Sequence, residues 1–103
     1  MVLEKTDFSN ICFKDEANIL KALGHPVRLK ILYALLSESC NVKNMQECVT
    51  VPQATLSQHL SVLKNVGAIE GEREGNQMIY KIVSPLVLEI LGILDNKKQS
   101  KCK

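Results

Sequence analysis

The segment from Leu86 to Leu94 restricts this chain more than any other. Within it only Glu89 and Gly92 are not large and apolar. Ser84-Pro85 in front of it supplies a capping hydroxyl and a first-turn proline, so the segment reads as a helix. A helix that is apolar nearly all round must be covered on more than one face. The chain has 103 residues, a size at which one domain buries only roughly 60–65% of the surface its unfolded chain exposes. Two coverings are open. The helix is central in the core with one greasy edge in water, or a second copy of the chain covers Leu86, Leu88, Ile90, Leu91 and Leu94. A terminal helix in so small a domain favours the second. The stretch is far shorter than the ~20 residues a membrane helix needs, and the start, Met1 to Asp7, is charged where a signal peptide would be apolar. A cytoplasmic protein is the expectation.

Upstream of that helix the apolar period is helical four times. Phe8, Ile11, Cys12, Ile19, Leu20 and Leu23 recur at spacings of three and four, which predicts a helix from about Asp7 to Leu23 with Gly24 as a left-handed stop. Pro26 opens a second helix striped by Leu29, Leu32 and Leu36 and widened by Ile31 and Leu35, ending at Ser37–Ser39. Asn41 caps a short third helix buried through Val42, Met45 and Val49, which Thr50-Val51-Pro52 breaks. A fourth runs from Pro52 to about Val66 on Leu56, Leu60 and Leu63, and Gly67 stops it. The period then changes. Ala68 to Arg73 and Gln77 to Val83 read as strands about a Glu74-Gly75-Asn76 turn. Residues 1–96 thus form one mainly α domain with a β-hairpin wing, a winged helix-turn-helix. Residues 97–103 form a basic tail, read as a solvated, disordered end, with a phosphate-seeking extension as the alternative.

Charge narrows the surface that matters. Thirteen basic residues face eleven acidic ones. Without Lys97, Lys98, Lys101 and Lys103 nine remain, a balance of −2. The domain is not broadly basic, so nucleic-acid binding has to come from local placement of groups. With the leucines of the fourth helix inward, Ala54, Gln58 and Ser61 point away from the core, flanked by Thr55 and Ser57, with Gln53 in the first turn. No acid occurs from Thr50 to Ala68. Small residues and amides on one face suit a helix lying in a major groove, because Gln hydrogen-bonds adenine bidentately and small side chains permit close approach. The rival reading is an ordinary solvent-exposed helix, whose face usually mixes Glu with Lys. Aromatics make up only 4%, which argues against the stacking platforms that grip single strands.

Three stretches carry a family resemblance: Leu20 to Leu32, with its Ala22-Leu-Gly-His-Pro-Val-Arg28 entry; Val51 to Leu63, with Ser57-Gln-His-Leu60; and Arg73 to Lys81, a wing ending in an aromatic. Together they resemble the ArsR/SmtB family of winged helix-turn-helix repressors across roughly Asp15 to Leu94. The resemblance implies a homodimer built on the first and last helices, which adds Phe8 and Ile11 to the interface. It also implies double-stranded operator DNA as partner, and release from it by an inducer. In this frame His25 caps or packs the helix entry, and His59 makes a phosphate contact or a buried hydrogen bond. Two features depart from the family pattern. Pro52 stands where a Ser or Thr usually caps the recognition helix. Glu70, Glu72 and Glu74 surround Arg73 in a wing that is usually rich in Arg, leaving Arg73, Asn76 and Gln77 as its candidate contacts.

The family's sensor sites do not carry over intact. Ser84-Pro85-Leu86 and Leu94-Asp95-Asn96-Lys97 hold no His for a site on the last helix. Asn41 and Lys43 fall where a Cys-x-Cys pair would stand, with Cys40 one residue off. Tyr33 stands where persulfide sensors carry a Cys. Four cysteines remain without a motif. Cys48, near Met45 and Val49, reads as a small core residue. Cys12 and Cys102 are the leading sensor candidates because the family fold brings their regions together across the dimer. Cys40 is the third. Such thiols bind thiophilic metal(loid)s or oxidise, and no firm metal site is expected. An enzyme is not expected either, because no nucleophile–base, paired-carboxylate or phosphate-loop constellation is visible. The alternatives to an inducible repressor are a repressor without a small-molecule sensor and a winged-helix module that binds protein.

Overall fold

The computed structural model of the chain describes residues 7–37 and 40–96. Its elements run α1 (Lys14–Leu23), α2 (Pro26–Ser37), β1 (Cys40–Asn41), α3 (Val42–Val49), α4 (Gln53–Asn65), β2 (Ile69–Glu74), β3 (Gln77–Ile82) and α5 (Pro85–Asn96). The order is the predicted one, four helices, a hairpin and a helix, with one addition. The two-residue β1 pairs antiparallel with β3, Cys40 opposite Tyr80 and Asn41 opposite Ile79, so the sheet order is β1-β3-β2. Two residues carry no readable period, which is why the sequence does not show this strand. None of the described helices is long and apolar enough to cross a membrane. The tail, 97–103, lies outside the described residues.

The first helix starts later than its spacing predicts, at Lys14 and not at Asp7. A local bond competes with it. The Ser9 amide donates to the Asp7 carboxylate at 2.9 Å, and the Ile11 amide donates to the Phe8 carbonyl at 3.0 Å. An Asp that captures an amide two residues on stabilises a turn against a helix. Hydrogen bonding from Ser9, the backbone amide first and then the side chain, also holds the Asp7 carboxyl below its ordinary value.

The helical stripes converge on one core. Ile31, Leu32 and Leu35 of α2, Met45 and Val49 of α3, and Leu56, Leu60 and Leu63 of α4 meet Val87 and Leu91 of α5. Ala22 and Leu23 close it from α1, and Ala68 and Ile69 from the start of β2. Cys48 is not part of it. The buried edge of α3 is the Met45–Val49 pair one turn apart, and Cys48 falls beside that edge and is exposed. At the other end, Ser84 caps α5 as expected, accepting the Val87 amide on its Oγ at 3.3 Å.

Glycine has three different jobs here. Gly67 stops α4 as expected, and does so in the left-handed conformation, φ +79. Gly24 is not left-handed (φ −77, ψ 44), so α1 ends by another device. In the wing, Gly75 takes φ +62 in the first central place of the two-residue turn between Glu74 and Gln77. Thr50, between α3 and α4, also adopts a left-handed φ of 56, a conformation a β-branched residue rarely takes.

The wing's own packing depends on a missing side chain. A Cβ at Gly71 would lie 2.9 Å from the Met78 methyl and 2.9 Å from the Tyr80 ring. Gly71→Ala therefore forces the two strands' side chains apart. We expect it to lower unfolding free energy by about 1–3 kcal/mol, the usual range for overpacking, as measured by urea denaturation. An unchanged midpoint would mean that the ring moves freely.

Candidate nucleic-acid interface

With its leucines buried, α4 presents Gln53, Ala54, Ser57, Gln58 and Ser61 to solvent. Pro52 in front is extended (φ −58, ψ 149) and gives no side-chain cap, leaving the first-turn amides uncapped by any side chain. The Leu56 amide already bonds to the Pro52 carbonyl at 2.9 Å. Such a helix start is electropositive and open to phosphate.

Two further candidates of α4 sit at the edges of that face. Thr55 is half-buried on the flank. His59 is half-buried and turned toward the start of α2. Its Nδ1 lies 3.5 Å from an Arg28 Nη, and its ring is 4.5 Å from that of His25. The reason is angular: His59 sits three residues after Leu56 and one before Leu60, so it shares their inward edge. Burial, then the neighbouring His25 and Arg28, hold its imidazole below the ordinary value.

The corner it meets is built from the His25-Pro26-Val27-Arg28 entry. His25 caps α2, its Nδ1 accepting the Val27 amide at 3.1 Å and its carbonyl accepting the Leu29 amide at 3.0 Å. Arg28 Nε donates to the Ala22 carbonyl at 2.6 Å. The Gly24 and His25 amides take the Lys21 and Leu23 carbonyls. The last three carbonyls of α1 thus find donors without a left-handed glycine.

Beside the start of α4 runs a groove of about 490 Å³ lined by Val42, Lys43, Gln46, Gln53, Asn76, Gln77 and Met78. It brings Gln53 together with the wing residues Asn76 and Gln77 across the mouth of α3. Lys43 and Gln46 were not among the sequence candidates, because the short α3 advertises only its buried edge. Arg73 is exposed on β2 but does not line the groove. Glu70, Glu72 and Glu74 alternate on one wing face, opposite Lys81, Ile79 and Gln77.

The apolar surface lies on other elements. On α5, Leu88 (44%), Ile93 (59%) and Leu94 are exposed, while Leu86 and Ile90 are half-buried. Leu91, 2% exposed, belongs to the chain's own core and leaves the predicted interface set. Before and along α1, Phe8, Ile11, Phe13 (66%) and Leu20 are exposed. Tyr33 of α2 donates its hydroxyl to Asp95 of α5 at 2.8 Å, which raises its ionisation above the ordinary value. Cys12 and Cys48 are free, exposed thiols. Cys102 and the side chain of Cys40 lie outside the described residues. No group of three or more His, Cys, Asp or Glu among the described residues could hold a metal ion.

Comparison with known proteins bears on this arrangement. Residues 25–70, from the His25 cap to the start of the wing, match "Bacterial regulatory protein, arsR family". An HTH-type transcriptional regulator of Methanocaldococcus jannaschii is 40% identical over 86 residues, 81% of this chain and 94% of that protein. The crystal structure of the transcriptional repressor PagR of Bacillus anthracis superposes with a TM-score of 0.74 at 34% identity, covering 80% of this chain and 94% of that one. A homodimeric winged helix-turn-helix DNA-binding domain of Mycobacterium bovis gives a TM-score of 0.76 at 25% identity, over 93% and 89% of the two chains. On this evidence the chain belongs to the arsR family of bacterial regulatory proteins.

Proposed function

We propose that the chain is a homodimeric transcriptional repressor that binds double-stranded operator DNA in the cytoplasm with α4 in the major groove. The observation that carries the reading is the outer face of α4. Gln53, Ala54, Ser57, Gln58 and Ser61 are exposed together on a helix without an acidic residue, held in place by a fully buried inner face. Gln58 and Ser57 are the base-reading candidates. Lys43, Gln53, Asn76 and Gln77 around the groove suit one DNA backbone passing between α4 and the wing tip. The three wing glutamates would repel phosphate, which limits the wing's part to that tip. The kinship with PagR, named a transcriptional repressor, favours repression over a protein-docking module.

Selection from a pool of random duplexes gives the DNA to test. Gln58→Ala and Ser57→Ala should each weaken binding to the selected duplex by about 1–3 kcal/mol, the worth of a base contact, with the fold intact. Lys43→Ala should weaken binding to all sequences and reduce the salt slope by about 1, the signature of a phosphate contact. Wild-type affinity in all three variants would show that the reading face is misassigned.

The dimer is proposed on the exposed apolar side chains of α5 and the segment before α1, and the homodimeric M. bovis domain of the same fold supports it. Leu88→Glu and Ile93→Glu put a charge into that contact, where it is unpaired and costly. Sedimentation should find them folded monomers. Stable dimers in both variants would place the interface elsewhere.

Release from DNA is proposed to act through thiols, by a thiophilic metal(loid) or an oxidant. Cys12 is exposed beside the apolar patch, and the proposal keeps Cys102 and Cys40 as its partners. Cys48 joins them, since it too is open to reagents. Affinity for the selected duplex should fall when wild type is oxidised or given cadmium, and Cys12→Ser should abolish that response. No response in wild type would mean a repressor without a thiol sensor.

A further inference from the structure

We propose that Arg28 is a positioning residue for the DNA-reading helix, holding α4 to the α1–α2 corner through neutral His59, and that protonation of His59 loosens this hold and weakens DNA binding. The inference rests on the reading of α4 as the DNA-contacting helix. Arg28 has donors and no acceptor and keeps its charge throughout the accessible pH range. Its contact with His59 Nδ1 at 3.5 Å therefore requires that nitrogen to be the acceptor, with the ring's proton on Nε2. The guanidinium cannot turn away freely, because its Nε is held at 2.6 Å by the Ala22 carbonyl at the end of α1. One side chain thus connects the end of α1, the start of α2 and the inner edge of α4. His59 is on the same helix turn as Ser57 and Gln58, so any change at its ring moves the reading face. It touches no base itself.

Protonating His59 at Nδ1 sets N–H against N–H and a second positive charge against Arg28. The groups that act on the ring are Arg28 from α2 and His25 from the corner. Every charged side chain of α1 and β2, which also pack on α4, is exposed. Burial and those two neighbours keep His59 below its ordinary 6.5. A ring lowered in place binds a proton more readily once the helix has come away. The hold is therefore complete above about pH 6.5 and is lost as pH falls through the ring's own, lower value. If His59 instead reached a DNA phosphate, acid would charge it and tighten binding.

The test measures anisotropy of a labelled duplex of about 30 bp, long enough for two half-sites a helical turn apart, taken from the random-pool selection. Titration runs from about pH 7.5 to 5.5, the range in which histidine changes charge, at fixed ionic strength. Wild-type affinity should fall several-fold. His59→Asn places a non-titrating acceptor oxygen where Nδ1 was. It should bind as wild type does at the upper pH and show a flat profile. Arg28→Met should bind weakly and equally at both ends. Should that variant not fold, His59→Asn alone decides. Affinity that stays level or rises on acidification, or a wild-type slope retained by His59→Asn, overturns the proposal. So does a slope removed only by His25→Asn, which would move the switch to the cap. If wild type binds no duplex at any pH, the repressor reading fails, and the positioning claim is judged by NMR. The Ser57 and Gln58 amides should then co-titrate with the His59 ring in wild type and not in His59→Asn. Absence of co-titration overturns it.

Discussion

The burial of one edge of one helix decides most of what this chain presents to its surroundings. Leu56, Leu60 and Leu63 are almost without exposed surface, and together they anchor α4 at three points along its length. Burying each is worth about 1.5–3 kcal/mol. A helix held so firmly on one side has no rotational freedom, and the rest of its residues are assigned by angle alone. Gln53, Ala54, Ser57, Gln58 and Ser61 face out, Thr55 and His59 fall on the flanks, and the outward set is the one a major groove accepts. Function on this fold is a by-product of core packing that fixes orientation.

That packing also needs a frame, and the short His25-Pro26-Val27-Arg28 stretch supplies it. The imidazole of His25 caps α2, and the guanidinium of Arg28 takes a carbonyl that α1 would otherwise leave unpaired. The two helices meet in a corner at which the leftover backbone groups are satisfied by these two side chains and by the corner's own amides, without a left-handed glycine. His59 rests on this corner, so the device that ends α1 and begins α2 also touches α4. The wing is tied in at its base, where Ile69 joins the core and β3 pairs with β1. Its three glutamates on one face and the tight Gly71 approach on the other describe a hairpin built for shape, with its polar tip beside the start of α4.

What could be read from residues alone follows physical lines. α4 and the hairpin were legible by their apolar periods, α2 and α5 by nearly continuous apolar runs, and their ends carry proline, serine or glycine where the backbone needs them. The start of α1 was not, since a turn held by Asp7 and Ser9 competes with a helix whose spacing looks equally good. β1 was too short to show a period. Cys48 and Leu91 were misjudged for the same reason: spacing places a residue near a face, but a few tens of degrees decide core from edge. Lys43 and Gln46 carry no pattern and become candidates only when the chain folds them beside Gln53 and the wing tip. The left-handed Thr50 between α3 and α4 had no sequence signal at all.

The central claim is that the outer face of α4, with the adjoining groove, is where DNA lies. Amide chemical-shift mapping on addition of a selected duplex tests it most directly, because it reads location rather than affinity. The account predicts that the largest shifts fall on Gln53, Ala54, Ser57, Gln58 and Ser61 and on Lys43 and Asn76, with Glu70, Glu72 and the outer residues of α5 little changed. Shifts concentrated on α5 or on the wing strands, with α4 silent, would contradict it.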